Sequence, residues 1–79
     1  ARQLTVRQNV AARRAARALA EGEAALFWQR PAEAVAPLRS ALAEWPSSPR
    51  LRLALGQALL QTGDAEGAVK EFVSVIAEE

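Results

Sequence analysis

The chain has 79 residues and a net charge of +1, and its length is that of one domain. His and Cys are both absent, so the commonest general base, the commonest zinc ligands and disulfides are all missing. No apolar run approaches the roughly 20 residues that a membrane-spanning helix needs, so no membrane span is predicted, and no cofactor is expected. Ala supplies much of the 51% hydrophobic content, and Ala strongly favours helix. We therefore expect an all-α fold.

The first predicted element is one long helix, because neither Pro nor Gly interrupts residues 2–21. At 3.6 residues per turn, small and apolar residues from Leu4 to Leu26 fall on one side. The other side carries an arginine stripe, formed by Arg2, Arg7, Arg13, Arg14 and Arg17. The stripe either contacts phosphates, anionic lipid or an acidic partner, or is an ordinary solvated helix face. The second interpretation is favoured, since no aromatic residue for base stacking lies among these arginines, and neither a nucleic acid nor a membrane surface is expected as partner.

Three further helices are predicted from Pro and Gly positions. Arg30-Pro31 marks a turn into the second helix, and residues 45–49 link it to a third that opens at Pro49. Gly63-Asp64 ends the third helix and caps the fourth. Pro37 lies inside the second helix, where it removes one hydrogen bond, and we expect a mild bend rather than a break.

The chain contains an internal repeat. Residues 15–45 align with residues 49–79, and identical pairs include Gly22 with Gly56 and Ala34 with Ala68. A period of 34 built from two helical stretches is typical of a helix–turn–helix repeat. Gly inside a helix costs about 1 kcal/mol against Ala, so its presence in both copies predicts a close approach of the neighbouring helix.

The spacing within each unit resembles that of a known family. The second unit reads Arg52-x-x-Leu55-Gly56-x-x-Leu59, then Ala68-x-x-x-Phe72. The first reads Ala18-x-x-Glu21-Gly22-x-x-Ala25, then Ala34-x-x-x-Leu38 and Pro46. This pattern resembles the tetratricopeptide repeat, although both aromatic residues of its opening motif are missing. The resemblance implies a short right-handed solenoid of antiparallel helix–turn–helix repeats, with a basic extension at 1–14, repeat 1 at 15–48 and repeat 2 at 49–79.

The same resemblance implies a binding surface. In this family the first helices of the hairpins line a concave groove that receives a peptide or a helix. The positions that would face the groove are Leu19, Glu23, Leu26, Phe27, Arg50, Leu53, Gln57, Leu60 and Gln61. This groove is mainly apolar, with Phe27 as the expected anchor for an apolar partner segment. The chain is thus predicted to be a protein-interaction scaffold. Leu26 and Phe27 could equally pack on another part of a parent protein.

The last helix carries more apolar surface than one partner helix can cover. We call this surface the C-terminal face, and its residues are Val69, Phe72, Val73, Val75 and Ile76. In a solenoid such a face is covered by the next repeat or by a capping helix. The sequence therefore predicts either a fragment of a longer protein or a homo-oligomer through this face. The alternative function is a structural or oligomerisation segment of a larger protein.

Catalysis finds no support in the sequence. No Ser or Thr has an evident base beside it, and no Gly-rich phosphate loop is present. The stretch 32–64 also resembles repeats that follow bacterial envelope zinc-protease domains, but the protease motif itself is missing here. The Arg-rich, Lys-poor usage suggests a bacterial source. The sequence leaves the bacterial cytoplasm and the periplasm equally open.

Overall fold

The computed structural model describes residues 5–77, which form four α-helices. These are α1 (Val6–Phe27), α2 (Pro31–Glu44), α3 (Pro49–Thr62) and α4 (Ala65–Ala77). Helix α1 packs on α2 and α3 packs on α4 as two hairpins, while α2 and α1 both pack on α3. No strand occurs within residues 5–77. The prediction of an all-α, repeat-type fold is confirmed.

Helix α1 is the longest element, with 22 residues against 14 for α2 and α3. It begins with a capping box at Thr5, whose hydroxyl accepts from the Gln8 backbone N–H at 3.1 Å. The Gln8 side chain accepts in return from the Thr5 N–H at 2.9 Å, so two of the free donors at the helix start are satisfied. The predicted long N-terminal helix is present. Arg2 and Leu4, which the sequence placed on its two sides, lie outside the described residues.

The later helices begin and end at the Pro, Ser, Gly and Asp residues of the linkers. Pro49 opens α3, and the Ser48 hydroxyl accepts from the Leu51 N–H at 3.3 Å. Gly63 ends α3 in the left-handed region, with φ of 98°. The Asp64 carboxylate then accepts from the Gly67 N–H at 2.9 Å at the start of α4. These helix boundaries agree with the sequence predictions.

Small residues at the helix contacts bring the four helices close together. Most of the buried core residues are alanines, and the largest fully buried side chains are Leu38 and Leu51. Gly22 of α1 faces Leu38, and an ideal Cβ on this glycine would lie 2.9 Å from the Leu38 Cγ. Gly56 of α3 faces Phe72 in the same way. The close approach predicted from the repeated glycine is therefore observed in both hairpins.

Pro37 is accommodated within α2, which continues through it from Pro31 to Glu44. The neighbouring side chains Ala34, Leu38 and Ala41 are buried in the core. Pro37 itself is half-buried at the edge of α2. Pro37 lines a cavity together with side chains of α1, and α2 continues although this residue cannot donate a backbone hydrogen bond.

Candidate functional site

The first helices of the two hairpins form one cleft. Five predicted groove residues line it, namely Leu19, Glu23, Arg50, Leu53 and Gln57, together with Ala54 and Phe72. The cavity measures about 340 Å³. We call this surface the α1–α3 groove. It exists because α1 and α3 pack side by side through small residues while α2 and α4 lie behind them.

The groove has apolar walls and two facing charges. Leu53 is 44% exposed although it lies beside the core, and Leu19 of α1 is half-buried. The Arg50 guanidinium lies 3.8 Å from the Glu23 carboxylate across the groove, and both side chains are exposed. An exposed pair at this distance contributes about 0–1 kcal/mol, so its members remain free to contact a partner. The surface suits a ligand with apolar side chains and at least one charge.

The other predicted groove residues lie towards the carboxyl ends of α1 and α3. Leu26 is half-buried against the core, while Phe27, Leu60 and Gln61 are exposed and lie outside the cavity just described. Phe27 packs edge-on against Trp28, with ring centroids 5.1 Å apart. This exposed aromatic pair sits where α1 turns into α2. Five of the nine predicted residues thus line this cavity, and the other four lie outside it.

The C-terminal face is largely open. Val69, Val73 and Ile76 are 56%, 55% and 71% exposed. Phe72 and Val75 are half-buried, and Phe72 packs against Gly56 and the core. Phe72 thus belongs partly to the hairpin contact and partly to the floor of the α1–α3 groove.

Two arginines of the stripe are paired with acids. Arg14 donates to Glu44 of α2 at 3.2 Å, and Arg17 lies 3.9 Å from Glu21 one turn further along α1. Arg7 and Arg13 are exposed. The carboxylates that pair with Arg14 and Arg17 reduce the positive potential of this helix face.

The described residues hold no arrangement for metal chemistry. Among residues 5–77, no group of three or more Asp and Glu side chains could hold a metal ion. Within the same range, no helix is both long enough and apolar enough to cross a membrane. The α1–α3 groove offers a partner apolar contact, one side-chain amide and the two groove charges.

One side-chain cluster was missed by the sequence reasoning. Arg52 of α3 lies 3.5 Å from Glu71 of α4, and both side chains are only about one fifth exposed, at 20% and 19%. A second Arg52 nitrogen, Nη2, donates to the Pro46 carbonyl at 2.6 Å, so this residue joins α4, α3 and the α2–α3 linker. The repeat contained a signal for this pair. Repeat 1 has the uncharged residues Ala18 and Pro37 at the positions where repeat 2 has Arg52 and Glu71, so two opposite charges appear together in repeat 2.

Comparison with known proteins agrees with this geometry. A family model described as Tetratricopeptide repeat matches residues 9–79. No curated protein and no solved structure matches the chain. Tetratricopeptide repeats in general are non-catalytic scaffolds that mediate protein–protein interaction. Because the match spans most of the 79 residues and the four helices form the expected hairpins, the chain belongs to the tetratricopeptide repeat family.

Proposed function

We propose that this chain is an interaction scaffold that holds a peptide or helix of a partner protein in the α1–α3 groove. The observation that carries the proposal is the shared cavity, to which α1 contributes Leu19 and Glu23 and α3 contributes Arg50, Leu53 and Gln57. Leu53 presents apolar surface there without being needed to close the core. The units 15–48 and 49–79 each supply one wall.

The proposal contains no catalytic step. Apolar side chains dominate the groove. Its carboxylate, Glu23, and its cation, Arg50, lie against each other rather than beside a nucleophile. Attachment to a bacterial envelope protein or zinc protease stays a prediction from the sequence, as does the bacterial source.

A selection with displayed peptides tests the groove. A random dodecapeptide phage library is selected on the purified chain, and the enriched peptides are then measured on variants that keep the helical circular dichroism. Leu53→Glu should weaken their binding about tenfold or more, because a carboxylate replaces an apolar side chain that lines the groove. Val73→Lys is the matched control on α4, outside the groove. Peptides that bind Leu53→Glu as well as the parent chain would refute the proposal.

A second function, oligomerisation through the C-terminal face, is favoured by a comparison between the repeats. Leu42 in repeat 1 is only 9% exposed because α3 covers it, whereas Ile76, its equivalent in repeat 2, is 71% exposed. At the opposite end of the molecule, Arg17 and Glu21 occupy the places that Leu51 and Leu55 fill in repeat 2. The polar surface around Arg17 and Glu21 does not complement the apolar C-terminal face. Two copies would therefore associate through their C-terminal faces rather than head to tail.

Sedimentation equilibrium tests this second function. A dimer that Ile76→Lys dissociates, and that Arg39→Glu on the exposed side of α2 leaves intact, would support it. A chain that remains monomeric up to several hundred micromolar would rule it out.

A further inference from the structure

The α1–α3 groove continues beyond Arg50 into a second cleft. This Trp45 cleft measures about 460 Å³ and lies between the first half of α1 and the linker that joins α2 to α3. Its lining residues are Ala12, Ala15, Trp45, Ser47, Ser48, Pro49 and Arg50. Because Arg50 lines both cavities, the two are neighbours along one surface.

The Trp45 cleft arises from the length of α1. The helix has 22 residues where α3 has 14, and its additional first turns run alongside the α2–α3 linker. Ala12 and Ala15 are small and half-buried, so they leave space beside the half-buried Trp45 ring. Repeat 2 has no comparable additional turns before Pro49. The cleft is thus particular to this end of the molecule.

The walls of the Trp45 cleft are mainly apolar, and its one charged lining residue is positive. No Asp or Glu lines it, and Arg50 is the cation at its junction with the groove. The Arg50 guanidinium lies 3.8 Å from Glu23, which is longer than a charge-assisted hydrogen bond. A carboxylate from a partner could therefore contact Arg50 without displacing a strong internal bond.

The two apolar sites lie one short segment apart. The centre of the Ala12–Ala15 stretch and the centre of the Leu19–Glu23 stretch are separated by about 11 Å along α1, at about 1.5 Å per residue. An extended peptide covers this distance in three or four residues, at about 3.3 Å per residue. A side chain between the two apolar ones would then lie close to Arg50.

We infer that the partner segment is extended and carries two apolar side chains three or four residues apart, with an Asp or Glu between them. The first apolar side chain enters the Trp45 cleft, the carboxylate contacts Arg50, and the second apolar side chain packs on Leu19 and Leu53. This inference rests on the proposed function of the groove and adds the chemistry and order of the side chains in its ligand.

The dodecapeptide selection, extended to three more variants, tests the inference. Arg50→Glu should exchange the preferred acidic residue for Lys or Arg and weaken the parent-selected peptides about tenfold. Ala12→Trp should fill the Trp45 cleft. Peptides selected on this variant should lose the preference for the first apolar residue and keep the preference for the second. Arg39→Glu on α2 makes the same charge change away from both cavities, and it should select the same peptides as the parent chain.

Fluorescence gives an independent readout of the Trp45 cleft. In the Trp28→Phe background Trp45 is the remaining tryptophan, and the strongest selected peptide should shift its emission to shorter wavelength. The same peptide without its first apolar residue should leave the emission unchanged. An unchanged spectrum with a saturating peptide would overturn the placement of a side chain in this cleft.

The outcomes separate this inference from the proposed function. Some peptides could lose binding to Leu53→Glu but bind Arg50→Glu and Ala12→Trp as well as the parent chain. This result would support the proposed function of the groove and refute the inferred chemistry of the partner. Peptides indifferent to Leu53→Glu as well would refute both. Selected peptides without an acidic residue between two apolar ones would also overturn the inference.

Discussion

Gln29 and Gly63 occupy the same left-handed backbone position at the carboxyl ends of α1 and α3. Their φ angles are 59° and 98°, and they hold equivalent places in the two repeats. In each case the next residue donates its N–H back into the helix, Arg30 to the Ala25 carbonyl and Asp64 to the Leu59 carbonyl, both at 2.8 Å. The two repeats therefore end their first helices with the same hydrogen-bonded motif, and only one of them uses glycine.

Replacing Gln29 with Gly should stabilise the chain. A residue with a Cβ costs about 1–2 kcal/mol in the left-handed region, and the greater freedom of Gly in the unfolded chain offsets about 0.5–1 kcal/mol of the gain from removing it. We expect Gln29→Gly to raise the free energy of unfolding by about 0.5–1 kcal/mol in urea titrations followed by circular dichroism. Gly63→Ala should lower it by a similar amount. A loss of stability in Gln29→Gly would show that the Gln29 side chain makes a contact that outweighs the strain.

The two helix glycines should respond differently to alanine. An ideal Cβ on Gly22 would lie 2.9 Å from the Leu38 Cγ, and Leu38 is fully buried, so it cannot move aside. A Cβ on Gly56 would lie 2.5 Å from Cε1 of Phe72, the far end of a half-buried ring that can tilt outward.

Thermal and urea unfolding should therefore show Gly22→Ala to be the more destabilising, by about 1–3 kcal/mol. This loss would occur although alanine is the better helix former by about 1 kcal/mol. Adding Leu38→Val to Gly22→Ala should recover part of the loss by a double-mutant cycle. Equal or higher stability of Gly22→Ala would contradict the tight contact.

Replacing one member of the Arg52–Glu71 pair should destabilise the chain more than replacing both. Both side chains are about four fifths buried, and the Arg52 Nε and one Glu71 oxygen have no hydrogen-bond partner within the part of the chain that the structure describes. Removing either charge alone leaves the other poorly solvated, so Arg52→Met and Glu71→Leu should each cost about 1–3 kcal/mol in urea unfolding. The double variant should recover most of that loss. Additive losses in the cycle would show that the two residues act independently, Arg52 mainly through the Pro46 carbonyl.

Pro37 offers a site for stabilisation. Proline in a helix interior costs about 3 kcal/mol, and part of this returns because proline also stiffens the unfolded chain. Pro37→Ala should therefore raise the free energy of unfolding, measured in urea, by about 1–2 kcal/mol. Pro31→Ala provides the control, since Pro31 stands at the first position of α2, where no donor is lost. Similar effects of the two substitutions would argue against a helix-interior cost.

Most of the fold could be predicted from the sequence. The helix boundaries followed from local chemistry, such as Pro49 at a helix start and Gly63 at a helix end. The internal repeat placed Gly22 and Gly56 at equivalent positions, and their close contacts followed from the absence of a side chain. Residues near in sequence determine these features, so the sequence alone was enough to predict them.

The candidate site was only partly predictable. The repeat pattern indicated which residues of α1 and α3 share a side, but it could not show that Leu53 lines the cavity of the α1–α3 groove while Leu60 lies outside that cavity. The Arg52–Glu71 pair was missed because pairing across two helices depends on how those helices pack. The Trp45 cleft was missed for the same reason, since the sequence places Trp45 only at the end of a hairpin.

The sequence by itself determined the four helices, their caps and the repeat, because helix propensity, proline geometry and left-handed glycine act over a few residues. The tertiary structure alone decided which exposed side chains gather into a groove, which charges meet, and how far α1 overhangs the α2–α3 linker. These depend on distances between side chains far apart in the chain, which are set by helix packing through Gly22, Leu38 and Leu51 rather than by local preference.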